Sequence, residues 1–163
     1  MSVNKHRPHV FVLPEDDANR QLAIGFCLDP CVKLTRIRVL EVAGGWNKVL
    51  DDFDSNHIRE MDKNPSRYMI LLIDFDTDRN RLDYVKSRIP QSLAERVFVL
   101  GALTNPEDLK ANFHESYEDI GLAMARDCHE GTNTTWGHGL LQHNANELDR
   151  LREHVRPILL PAI

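Results

Sequence analysis

Apolar residues along the chain fall into short dense runs separated by stretches with helical spacing. His9-Val-Phe-Val-Leu13 is a β-rich run that stops at Pro14, and Leu22, Ile24 and Phe26 then recur as on one helix face. Asp29-Pro30 breaks that helix. Leu34 to Val42 predicts a second strand, with Ile37, Val39 and Glu41 on one side, and Gly44-Gly45 a turn. Trp46, Val49, Leu50 and Phe53 predict a helix running toward Met61, closed by Asn64-Pro65. Tyr68-Met-Ile-Leu-Leu-Ile73 is uninterrupted by polar residues, as expected of a central strand covered on both faces. A polar helix from Arg79 to Arg88 and a fourth buried-type strand, Val97-Phe-Val-Leu100, complete the alternation.

Strands alternating with helices predict right-handed crossovers, and so an α/β fold: a parallel β-sheet of about four strands flanked by helices in a Rossmann-like three-layer arrangement. The last third reads as helical. Pro106-Glu107-Asp108 makes a good first turn, Ile120, Ala123 and Met124 share a face, and Leu141, Leu148, Leu151 and Val155 share another beyond a Gly131 to Thr135 loop. The expectation is a single domain over 1–163, with an α/β core at 9–113 and a helical C-terminal extension at 114–163.

Composition narrows the classes. A chain of 163 residues, 42% hydrophobic and 28% charged, has the make-up of one globular domain. A net charge of −5 argues against binding nucleic acid by bulk electrostatics, although a local Arg/Lys patch or a metal ion would still engage phosphates. No apolar stretch is long enough for a membrane span, and MSVNKHRPH lacks a signal-peptide core, so a cytoplasmic protein with no membrane partner is expected. Cys27, Cys31 and Cys128 are odd in number, which argues against a disulfide framework. With His129 they suggest a zinc set, but C-x3-C is not knuckle spacing, and small buried thiols are the favoured reading.

Ligands of open parallel sheets bind beyond the carboxyl ends of the strands, and here those positions are acidic. The first strand runs into Glu15-Asp16-Asp17, the third into Asp74-Phe75-Asp76-Thr77-Asp78, and the fourth reaches Glu107-Asp108 after a short loop. Adjacent strands lie about 4.8 Å apart, so carboxylates from two of them repel unless protonated or bridged by a cation, and magnesium suits such oxygen donors. A regular continuation of the third strand would turn Asp74 and Asp76 to one side and Phe75 to the other. Helix capping is the alternative duty, favoured for Asp17 and Asp78; function is favoured for Glu15, Asp74 and Asp76.

The stretches VFVLPEDDANRQLAIGF, IRVLEVAGGWNKVLDDF and YMILLIDFDTD, in that order, resemble the Toprim domain, the metal-dependent module of topoisomerases, primases and OLD-family nucleases. The family pattern is a glutamate after the first strand, a glycine turn after the second and Asp-x-Asp after the third. The resemblance implies Glu15 as general acid/base, Asp74 and Asp76 as ligands of Mg (or Mn), and Glu107 as a third ligand. It further implies hydrolysis of nucleic acid phosphodiesters, an ATPase or other protein partner, and a place in bacterial antiviral defence. Asp16 stands where the family usually has glycine. Asn19 stands where nuclease-type members often carry an acid, which implies a weakened or lost metal site.

Two other readings stay open. Acidic residues after the first strand and Asp74 after the third also describe the phosphoacceptor pocket of a receiver-like signalling domain, although no Lys-Pro follows the fourth strand. A non-catalytic interaction module whose acids only cap helices is the other. In the last third, His129, Trp136, His138, His143 and Asn144 invite a catalytic or metal role, with structural packing favoured. Val155, Ile158, Leu159 and Leu160 would seal a homo-oligomer or partner contact, or lie on their own domain.

Overall fold

The computed structural model describes residues 2–162. Four parallel strands, β1 (His9–Pro14), β2 (Ile37–Val39), β3 (Arg67–Leu72) and β4 (Val97–Leu100), form one sheet in the order β2-β1-β3-β4. β1 and β3 are therefore central, paired in register from His9 opposite Arg67 to Pro14 opposite Leu72. Their dense apolar runs follow from burial on both faces.

Alternation along each strand builds two cores. Val10, Val12, Ile70, Phe98 and Leu100 face one layer, made of α1 (Asp17–Phe26), α5 (Pro106–Phe113), α6 (Tyr117–Glu130), α7 (Ala145–His154) and α8 (Arg156–Leu159). Phe11, Leu13, Met69, Leu71, Val97 and Val99 face the other, made of α2 (Trp46–Asp52), α3 (Ile58–Lys63) and α4 (Arg81–Ser87). Within the first layer α1 and α6 cross almost backbone to backbone. A Cβ on Gly25 would lie 2.1 Å from the Glu118 carbonyl oxygen, and one on Gly121 would lie 2.0 Å from that of Leu22.

Several boundaries differ from the pattern. The expected strand from Leu34 begins as a 3-10 turn over Leu34–Arg36 and pairs only at Ile37–Val39, leaving Glu41 exposed. The expected helix from Trp46 toward Met61 is there, but a π-helical turn over Phe53–His57 divides it into α2 and α3. Leu141 precedes α7 and shares its core rather than its face. The apolar tail lies on its own domain: Val155, Leu159 and Leu160 are buried in the first core.

The C-terminal third also closes the exposed edge of the sheet. Glu147, buried on α7, accepts from the Val99 N–H (3.0 Å), and Asn144 both accepts from the Gly101 N–H (3.2 Å) and donates to its carbonyl (3.0 Å). Side chains thus satisfy edge groups that would otherwise invite another strand. No helix among the described residues is long and apolar enough to cross a membrane.

Candidate functional site

β1 ends at Pro14, and the next residue, Glu15, still donates its N–H to the Leu72 carbonyl (2.9 Å), so its side chain emerges against the end of β3. There its Oε2 accepts from the Asp74 N–H (2.6 Å). The two acidic stretches meet across adjacent strands as expected, and both side chains are buried, Glu15 at 9% and Asp74 at 7% exposure. The Gly44-Gly45 turn, with φ of 98° and 154° that side-chain-bearing residues rarely adopt, folds back so that the Gly44 N–H reaches the Glu15 carbonyl (2.8 Å).

Asp16, rather than Asp17, caps α1, accepting from the Asn19 N–H (2.9 Å). Asp17 is exposed in the first turn and binds Arg20 and Gln21. Asn19 is fully buried, and its Nδ2 bridges Asp16 Oδ1 (3.0 Å) and Asp74 Oδ1 (2.9 Å). Its own Oδ1 is buried with no partner. Asn19 is thus the hinge holding both acids.

The loop after β3 keeps pairing with the loop after β4: Phe75 donates to Ala102, Asp76 to Thr104 and Thr77 to Leu103. It does not continue as a strand, because Asp76 (φ 48°) and Thr77 (φ 60°) enter the left-handed region. Phe75 packs into the second core as expected, but Asp76 does not join Asp74; it is exposed and paired with Arg81 Nη1 (2.8 Å). Asp78 does not cap α4. Its Oδ1 accepts from the Asn80 N–H (3.0 Å), closing the turn ahead of the helix.

Arg81 is the functional candidate the pattern gave no reason to choose. Its Nη1 also donates to the Asp74 carbonyl (2.6 Å), and its guanidinium lies over Trp46, 4.5 Å from the ring centroid. One cation therefore clamps the loop that carries Asp74 and Asp76.

Burial, opposed by the Asn19 hydrogen bond and reinforced by Glu15, Asp16 and Asp76, pushes the Asp74 carboxyl up to about 7. Burial likewise raises Glu15, against the Asp74 N–H and with the charges of Asp16 and Asp76. Glu107 stands exposed in the first turn of α5, which Asn105 caps. It does not join Glu15 and Asp74 as a third ligand; the group it shifts is Tyr117, whose phenol is raised first by burial and then by Glu107, Asp16 and Asp74.

Among the described residues no three His, Cys, Asp or Glu side chains group to hold a metal ion. The acids brought together at the strand ends are Glu15 and Asp74, and the orphaned amide oxygen of Asn19 is buried in the same neighbourhood. These fit a hard cation such as magnesium, which takes one or two carboxylates and completes its shell with water and phosphate oxygens. Asp76 contributes charge at the rim.

Of the other candidates, Trp136, His138 and Asn144 make structural hydrogen bonds, whereas both ring nitrogens of His143 are buried without a partner. Trp136 donates its indole N–H to the Met124 carbonyl (3.1 Å), and His138 packs on Phe113 while its Nδ1 accepts from the Leu140 N–H. His143 packs edge-on against Phe75 at 5.1 Å, and burial lowers its pKa. Burial pushes the Cys27 thiol up to about 11, and Cys128 is buried in the first core. An apolar cavity of about 70 Å³ lies in that core, bounded by Val12, Leu22, Met124, Trp136 and Leu151, with none of the acidic residues on its walls. No family model matches the chain, and no curated protein or solved structure matches it.

Proposed function

We propose that the chain is a Toprim-like phosphodiesterase that hydrolyses nucleic acid with Mg or Mn at the carboxyl ends of β1 and β3. The observation that carries this reading is the buried pair Glu15 and Asp74, joined across two strands with both carboxyls raised. Burial holds both carboxyls above their ordinary range with Arg81 offsetting Glu15 only in part, and a divalent cation would favour their ionised forms. Asp74 would hold it with water and phosphate oxygens completing the shell, and the bound ion would neutralise the phosphate and lower the pKa of an attacking water. Asn19 orients Asp74 by occupying one of its oxygens. Glu15 is fixed by the Asp74 N–H on Oε2, which leaves Oε1 to take a proton from water, and its raised pKa brings it toward the working range of a general base. Arg81 fixes the loop.

Plasmid and single-stranded DNA incubated with Mg or Mn test the reading. Wild type is expected to cleave both, Asp74→Ala and Glu15→Gln neither; equal cleavage by all three would show that the activity belongs to something else. The ATPase partner and defence setting implied by the resemblance would follow from copurification.

One observation favours the receiver-like alternative: with Asp76 turned outward, Asp74 is the lone buried aspartate after β3, beside Glu15 and Asp16. Labelling of Asp74 by acetyl phosphate without any cleavage would select it.

A further inference from the structure

The cations and aromatics beside the acidic rim form an ordered arrangement that the hydrolytic reading does not use. Arg81, Tyr84 and Arg88 recur at positions i, i+3 and i+7 along α4 and its C-cap, so they lie in one stripe about 10 Å long that starts at the Asp74 loop. Tyr84 is 47% exposed, yet it is held at both ends. Its ring meets Trp46 edge-on with centroids 6.0 Å apart, and its hydroxyl accepts from Arg88 Nη1 (3.2 Å), whose other arm is anchored on Asp54. An exposed tyrosine fixed in this way presents a preorganised aromatic face instead of a mobile side chain.

At the rim end, the Arg81 side chain is nine-tenths buried, its Nε unpartnered and shut off from solvent. Its Nη1 is occupied by Asp74 and Asp76, and its Nη2 bonds to no described residue. Lys48 makes no ion pair among the described residues, and its ammonium lies over the Gly44 turn, 3.8 Å from where a Cβ would sit. Two cations therefore flank the acidic rim, and a fixed aromatic face follows one turn of helix away.

We propose that Tyr84, Arg81, Lys48 and the supporting Trp46 form a track for unpaired nucleic acid, with a base stacked on Tyr84 and the neighbouring phosphate on Arg81 and Lys48. Duplex bases are already stacked and cannot offer a face to Tyr84, whereas single strands bind by this pairing of aromatic platforms and cations. The proposal rests on the phosphodiester reading for the fate of the strand at the rim, and its test is made in EDTA, where binding alone is read.

Fluorescence anisotropy with labelled oligo(dT) and oligo(U) about 12 nucleotides long, and with a hairpin duplex of equal length, is the experiment. Wild type is expected to bind the single strands more tightly than the hairpin, and the comparison of the two single strands distinguishes DNA from RNA. Tyr84→Leu, which keeps apolar packing on Trp46 but removes the aromatic face, is expected to weaken binding about tenfold, as loss of one stacked base does. Tyr84→Phe and Tyr84→Trp, which keep an aromatic face but lose the Arg88 hydrogen bond, should recover most of it, and thermal melts of all three should stay close to wild type. Wild type that binds strands in this way in EDTA but does not cleave them once Mg or Mn is restored would count against the hydrolase reading and support the track. Equal binding by Tyr84→Leu, no binding by wild type, or a preference for the hairpin would overturn it.

Discussion

Replacing Asp74 by asparagine should stabilise the metal-free protein, because the wild-type carboxylate is ionised at pH 8 in a place that disfavours charge. Its carboxyl rises from 3.8 in the unfolded chain to about 7 when folded. The unfolded state therefore loses its proton first as pH rises, and the folded state loses stability between pH 4 and 7, with the full penalty present above 7. At about 1.4 kcal/mol per unit, that penalty is about 4 kcal/mol. Asparagine carries no charge and keeps an acceptor for Asn19 Nδ2, so Asp74→Asn should recover most of it, raising the melting temperature by about 10 °C in a chain of this size. Calorimetric melts at pH 5 and pH 8 in EDTA make the comparison. Wild type should gain stability on moving to pH 5, and the variant should gain less. Millimolar Mg should raise wild type at pH 8 by about 3 kcal/mol if it exceeds its Kd a hundredfold, and should leave Asp74→Asn nearly unmoved. A variant that melts at or below wild type at pH 8, with wild type indifferent to pH, would refute the idea that this acid is held against its own charge.

Other positions give independent outcomes. Gly121→Ala puts a Cβ 2.0 Å from the Leu22 carbonyl oxygen, and separation of α1 from α6 should cost at least about 2 kcal/mol of unfolding free energy measured by urea titration. Thr77→Gly removes a β-branched residue from the left-handed region and should add about 1 kcal/mol by the same measurement. Glu147→Ala leaves the Val99 N–H without its acceptor and strips Lys86 and Arg150 of a buried partner, so a loss of about 3 kcal/mol and concentration-dependent light scattering from the opened β4 edge are expected.

Much of the architecture was legible because burial on both faces writes itself as unbroken apolar runs: β1, β3 and β4 were placed to within a residue or two. β2 was overextended, since Leu34 and Val42 are apolar but exposed, and nothing local distinguishes a 3-10 turn from the start of a strand. The π-turn at Phe53–His57 leaves no mark in the pattern either, because Phe53 and Met61 remain buried on one face through it. At the site, strand order brought Glu15 to Asp74, but local backbone conformation decided the rest. Asp76 follows two-residue alternation only while the chain stays extended, and it turns left-handed instead. Arg81 went unread, and Asn19 was read only as a lost ligand, for a different reason: what each side chain binds is decided by partners that the neighbouring strand supplies.

Diffraction from crystals soaked in Mn²⁺, recorded for the anomalous signal of the metal, tests the central claim most directly. A single peak about 2.1 Å from an Asp74 carboxylate oxygen, with Glu15 or its bound water in the same shell, is the expected result. Manganese bound at full occupancy elsewhere, with the Glu15 and Asp74 carboxylates left bare, would contradict it.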